Sequence, residues 1–231
     1  MYTDTPSLSN NHPYYPQSLV LPGYVEPTHT SAHLLASMTL MIGLPLLALH
    51  IAAKHHRPHL SLTDRFIFLW FVLCGSLHCL FELHYLRNFH TLASNTDFAS
   101  SLWKEYAKSD SRYLAQSPLV YVLESITVFV VGPLSLFTAW CIWQQQQNDS
   151  SAARFLGQMA VSLMHLYSAL VYFGSEFLAK QSNCRPEPVY YVGYLISMNL
   201  PWIIVPIWLI VQSFGVIAHA MKNAKRHGRK D

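Results

Sequence analysis

Five stretches of this chain are apolar over the full length of a bilayer crossing. A membrane-spanning helix needs about 20 predominantly apolar residues. Residues 33–53, 66–86, 118–143, 155–179 and 189–217 each meet that requirement. Lipid offers no partner for an open backbone, so each run must close its own hydrogen bonds as a helix. The expected fold is an all-α membrane protein, a five-transmembrane-helix bundle with an intramembrane ligand cavity. Only 12% of the residues are charged, against about 25% in a soluble domain. A net charge of +3 argues against nucleic acid as a partner and leaves membrane lipid as the surroundings.

The chain divides into an irregular N-terminal arm (1–32), the helical domain (33–217) and a basic tail (218–231). The arm holds Pro6, Pro13, Pro16, Pro22 and Pro27 and has no basic segment leading into an apolar one. No cleavable signal peptide is therefore expected. Cys74, Cys79, Cys141 and Cys184 form no CxxC pair, and no disulfide framework is expected. Thr63 and Asp64 suggest the cap of the second helix. The long connection 87–117 contains LWKEYAKSDSRY, amphipathic enough to lie at the membrane interface.

Basic residues set the orientation. Lys54, Arg57 and Arg65 fall in the first loop, and Lys222, Lys225, Arg226, Arg229 and Lys230 in the tail. With five spans these segments share a side, which reads as cytosolic, so the N-terminus faces the lumen. Arg87, Lys104, Lys108 and Arg112 in the 87–117 connection oppose this. The pattern Asn148-Asp149-Ser150 is a glycosylation acceptor that this topology keeps cytosolic and unmodified.

Ionisable residues at bilayer depth cost roughly 2.5–3.5 kcal/mol on insertion scales and default to functional sites. His78 and Glu82 are four apart, and Glu124 and Thr127 three apart, so each pair shares a helix face. Such groups can deliver or accept a proton; helix-bridging hydrogen bonds are the plainer alternative. In SMNLPW, Asn199 can orient a carboxylate and Trp202 offers a π face to a cation. Pro201 between them frees a carbonyl and favours a kink. Glu176, near a helix exit, reads as snorkelling to the interface, and His165 as a satisfied inter-helix residue. His55, His56 and His59 spell HHRPH, read as a solvated loop rather than a metal box. No GxGxxG, P-loop or GxSxG pattern occurs.

HPYYPQ, CGSLHCLFE, LWKEYAKSDSRY, LESITVFVVGPLSL and MNLPW together resemble the emopamil-binding protein family, from about residue 12 to 215. The resemblance implies a multi-pass endoplasmic-reticulum protein of sterol biosynthesis and lipid metabolism. Its expected activity is an isomerase that transposes a C=C bond of a sterol ring from delta-8 to delta-7 (an intramolecular oxidoreductase of the cholestenol delta-isomerase type). It places His78, Glu82 and Glu124 as catalytic residues, with Glu124 oriented by Thr127 and Asn199. Thr127, Asn199 and Trp202 bind substrate or stabilise a cation, and Tyr106 and Tyr113 close the cavity. No metal or other cofactor is required. Lipophilic amines are expected as inhibitors, and a second copy of the chain is a candidate partner. The same family includes receptors without turnover, and the same chemistry would serve an isomerase or cyclase of another polycyclic terpenoid. A proton-coupled transporter is a weaker alternative.

Overall fold

The computed structural model describes residues 12–146, 152–180 and 182–227. Five helices among them are long and apolar enough to cross a membrane, and none of the described residues forms a strand. Helix α1 is Ser31–His56 and α2 is Leu62–Arg87; a short α3, Phe98–Tyr106, caps the bundle. Helix α4 is Pro118–Gln144 and α5 is Ala152–Leu178. Helix α6 joins Val189–Ile196, Ser197–Asn199 and Pro201–His227. The α-helical ladder is interrupted at Leu200, where Pro201 has no N–H to continue it, although Leu200 keeps helical dihedrals. The Asn148 acceptor pattern lies outside the described residues.

Helix starts follow local chemistry. Thr30 caps α1, its hydroxyl accepting from the His33 amide at 3.3 Å. The cap of α2 is Ser61, not the expected Thr63–Asp64. The Ser61 hydroxyl accepts from the Asp64 amide at 3.0 Å and donates to the Asp64 carboxylate at 2.6 Å. Asp64 sits in the first turn, so its carboxylate reaches back to the cap as in a capping box. Pro118 begins α4, where a missing N–H costs nothing.

Helix α5 packs along the second half of α6, and α2 along α4. The outward faces remain apolar: Leu44 is 60% exposed and Leu170 74%. In water such surface would drive association; in a bilayer it is the lipid contact. Because lipid gives helices no hydrophobic reason to associate, close approach at small residues matters. A Cβ on Gly132 would lie 2.7 Å from Cys79 Sγ and 3.0 Å from His78 Cβ. Glycine there lets α4 press directly against the residue that carries the imidazole.

Residues 12–30 of the arm and the 88–117 connection fold together over one end of the bundle. LWKEYAKSDSRY, read as amphipathic, has no exposed residue. Trp103, Lys104, Glu105, Asp110, Arg112 and Tyr113 are all buried. Burial is tolerable because the charges are matched. Lys104 Nζ donates to the carbonyls of Val25 and Asn95, each at 2.6 Å, and Lys108 pairs with Glu105 at 2.7 Å. Arg112 forks onto Asp110, with bonds of 2.7 and 2.8 Å. Glu176 corrects a second expectation. Instead of snorkelling it is 2% exposed, accepts from the Asn183 amide and side chain at 3.0 and 2.7 Å, and lies 3.5 Å from Arg112. A buried carboxylate persists when several donors converge on it.

Candidate active site

Three of the spans widen into π-helical turns, and the first two pack against each other. These turns cover Leu77–Glu82 in α2, Thr127–Val131 in α4 and Val189–Ile196 in α6. A π turn inserts an extra residue and redirects the side chains around it, and such turns concentrate at functional sites. His78 and Glu82 lie within the first, Thr127 opens the second with Glu124 one turn before it, and Asn199 follows the third. The resulting cavity, about 230 Å³, is lined by every residue the sequence singled out as a site: His78, Glu82, Glu124, Thr127, Asn199, Trp202, Tyr106 and Tyr113.

A continuous hydrogen-bonded chain runs along its wall. His165 Nε2 on α5 lies 3.0 Å from His78 Nε2, and His78 Nδ1 lies 2.7 Å from Glu82 Oε1. The Thr127 hydroxyl donates to Glu82 Oε2 in a short bond and sits 3.3 Å from Glu124 Oε2. The Tyr113 hydroxyl donates to Glu124 Oε1 at 2.6 Å. With both imidazoles neutral, one proton arrangement satisfies the first three groups. His78 donates from Nδ1 to Glu82, and its bare Nε2 accepts from His165. A proton taken up at His165 Nδ1 and passed on from its Nε2 leaves His78 charged and donating from Nε2, which reverses the His78–His165 bond without moving a heavy atom. Acid and base groups from three spans and the capping segment thus form one relay.

Aromatic rings close the capped end. Trp103 stacks on Phe81 at 4.4 Å and on Tyr113 at 4.8 Å, and donates from Nε1 to the Phe81 carbonyl at 3.1 Å. Asn199 does not orient Glu124 as expected. Its Nδ2 donates to the Tyr106 hydroxyl at 3.1 Å and to the Leu195 carbonyl at 2.8 Å, so it fixes a lid tyrosine instead. The reason is placement: Glu124 already takes the Tyr113 hydroxyl, whereas Tyr106 hangs from the cap facing α6. Burial pushes the Tyr106 phenol up to about 12. Burial, and then the Glu124 carboxylate beside it, holds the Tyr113 phenol well above its ordinary range. Both hydroxyls therefore keep their protons at neutral pH. Trp202 lines the cavity with its ring 5.3 Å from Trp70.

Sequence reasoning did not name Tyr172, Trp103 and Phe81, which also line the cavity, and it read His165 only as an inter-helix residue; His165 does bond across to α2, and it lines the cavity as well. Tyr172 holds its ring 4.7 Å from the Arg112 guanidinium. His165 carried a usable signal: it is an ionisable group at mid-span. The HHRPH histidines do not converge on this site; His59 Nε2 donates to the Gln145 carbonyl at 2.7 Å. Among the described residues one ligand-type cluster stands out: Cys74, His78 and His165 bring their ligand atoms within 4.8 Å of one another.

The fold and cavity define a multi-pass membrane protein with a buried, titratable, mostly apolar site. A model of the EXPERA (EXPanded EBP) superfamily matches residues 98–213. The chain is 32% identical over 216 residues to a probable 3-beta-hydroxysteroid-Delta(8),Delta(7)-isomerase of Oryza sativa subsp. japonica, covering 93% of this chain and 95% of that one. It is 29% identical to the 3-beta-hydroxysteroid-Delta(8),Delta(7)-isomerase of Mus musculus, over 87% and 86% of the two chains. A protoglabretal synthase of Ailanthus altissima is likewise 29% identical, over 91% and 94%. This chain belongs to the EBP family.

Proposed function

We propose that the protein is a sterol isomerase that shifts a ring double bond from delta-8 to delta-7. The observation that carries this is the unbroken relay from His165 to Tyr113 along the wall of an otherwise apolar cavity. Moving a ring alkene requires protonating one carbon and removing a proton from another, with a carbocation between the two steps. His78, backed by Glu82, delivers the first proton; the π electrons form the new C–H bond. Glu124, held by Tyr113 and Thr127, faces the cation and stabilises it or accepts the leaving proton as the C=C bond re-forms. Fixed negative groups are strongest where water is excluded, and the aromatic lid supplies that exclusion. Trp202 offers its π face to the cation, and the relay can carry the released proton back towards His78. The isomerase names of the relatives from rice and mouse support the same reading.

The decisive experiment incubates purified protein with a delta-8 sterol and follows the delta-7 product, beside Glu124→Gln. A folded wild-type protein that binds sterol without turnover would make it a receptor of the same fold. A second reading, action on another terpenoid skeleton, is favoured by the relative named a protoglabretal synthase; product profiling across both substrate classes separates the two.

Residence in the endoplasmic reticulum with a lumenal N-terminus and a cytosolic C-terminus fits the basic first loop and tail. The opposing cations of the connection, Lys104, Lys108 and Arg112, are each engaged by folded partners. Protease protection in sealed microsomes tests it: a C-terminal tag digested from outside is expected, and a protected one inverts the topology. Lipophilic amines should inhibit because an ammonium mimics the cation; a neutral isostere binding equally well would refute this. A homodimer through lipid-facing helices is tested by cross-linking in membranes.

A further inference from the structure

We propose that Cys74, His78 and His165 form a binding site for a borderline-soft divalent cation of the zinc type, and that its occupation arrests the proton pair. Cys74 and His78 are one turn apart on α2, and His165 reaches them from α5, its Nε2 3.0 Å from His78 Nε2. All three are buried, at 0%, 4% and 4% exposure. Thiolate and imidazole are the ligands that zinc prefers, and three protein ligands leave a fourth position open towards the cavity.

The geometry is close to what a tetrahedral ion needs. Zinc–nitrogen bonds of about 2.0–2.1 Å put two imidazole nitrogens about 3.3 Å apart. The Nε2 atoms of His78 and His165 are 3.0 Å apart, so a few tenths of an ångström suffice. The ligand atoms all lie within 4.8 Å, and the Cys74 thiol must close by about 1 Å to reach a zinc–sulfur bond. The support beyond the ligands is in place too. His78 Nδ1 is already bonded to Glu82 at 2.7 Å. A carboxylate on the far nitrogen of a ligating imidazole fixes the tautomer that presents Nε2 to a metal.

Protons and charge balance. Cys74 releases its thiol proton to water. His165 moves its ring proton from Nε2 to Nδ1, a buried atom with no hydrogen-bond partner to lose. One thiolate and the adjoining Glu82 carboxylate offset the two positive charges, which a buried ion requires. An ion there takes the His78 Nε2 lone pair, so His78 can no longer exchange a proton with His165 or with substrate. The arrest rests on the isomerase reading; the binding does not.

The test therefore has two independent readouts. Co²⁺ is titrated into the purified full chain in detergent. A thiolate-to-cobalt charge-transfer band should saturate at one equivalent, vanish when Zn²⁺ is added, and be absent from Cys74→Ser. It should persist in Cys141→Ser and Cys184→Ser. No band in the folded wild type, or an unchanged band in Cys74→Ser, overturns the site. In the isomerase assay Zn²⁺ should inhibit the wild type. Cys74→Ser should keep metal-free turnover but need at least about tenfold more Zn²⁺ for the same inhibition. Inhibition of undiminished potency in Cys74→Ser overturns the arrest, and a chain that binds cobalt but turns over no sterol locates the failure in the isomerase reading instead.

Discussion

Helix α5 contributes to two buried polar networks, Arg154 and Gln158 to one and His165 to the other, and the networks differ in kind. Near its start, Arg154 donates to Asp64 and Gln145, each at 2.5 Å, and to Gln158 at 2.9 Å. Gln158 in turn donates to Ser213 at 2.9 Å, joining α5 to α6. Eleven residues on, His165 opens the relay through His78, Glu82, Thr127 and Glu124 to Tyr113. The first network has a permanent cation, and no residue of it lines the cavity. The second is built from groups that can hold a proton or pass one along, and every one of them lines the cavity. Burial of a polar cluster is therefore not what marks a site. Exchangeable protons beside a space for substrate mark it.

Substitutions can break that contrast or sharpen it. The largest effect is expected from Glu124→Gln, which removes a general acid–base group typically worth about 10²–10⁴-fold. Steady-state turnover should fall by that factor while the thermal melt stays within a few degrees. Retained activity would place Glu124 with the structural network. Arg154→Leu should do the reverse. Leaving Asp64 and Gln158 without their partner should cost roughly 3 kcal/mol of stability, read as a lowered melting temperature in detergent, with turnover per folded molecule nearly unchanged. Tyr113→Phe removes the hydroxyl that donates to Glu124. A hydrogen bond to a charged group is worth about 1.5–3 kcal/mol, so a loss of roughly tenfold or more in kcat is expected, larger than any change in KM.

Gly132→Ala tests how the relay is held in place. Its new Cβ must displace Cys79 or His78, and overpacking of this kind costs about 1–3 kcal/mol. Both stability and turnover should drop, whereas Gly174→Ala, whose Cβ would meet nothing within 4 Å, should change neither. The smallest effect concerns pH. With its pKa raised to about 12, Tyr106 stays protonated from neutral to mildly alkaline pH. Tyr106→Phe should lower activity through the lost Asn199 contact without altering the shape of the pH–rate profile. A shifted alkaline limb would show that the phenol titrates during turnover.

Much of this was readable from local pattern alone. The five spans follow from runs of apolar side chains long enough for a bilayer, because lipid forces such runs to become helices. His78, Glu82, Glu124 and Thr127 announced themselves because ionisable and polar groups at that depth are costly. Their sharing of helix faces follows from spacing. What spacing could not supply was the partner across a helix gap. The Tyr113 bond to Glu124, the His165 bond to His78 and the Asn199 bond to Tyr106 join residues 11, 87 and 93 positions apart. Only packing selects such pairs. The π turns were equally hidden, since one extra residue per turn leaves hydropathy unchanged while re-aiming every side chain near it. The buried capping segment looked amphipathic because its charges are real; the folded arm and α5 supply the carbonyls and counter-charges that let it go inside. Membrane crossing was thus decided by composition, summed over neighbours in the chain. The site was decided by three-dimensional contact, because hydrogen bonds depend on distances of a few tenths of an ångström that no linear pattern encodes.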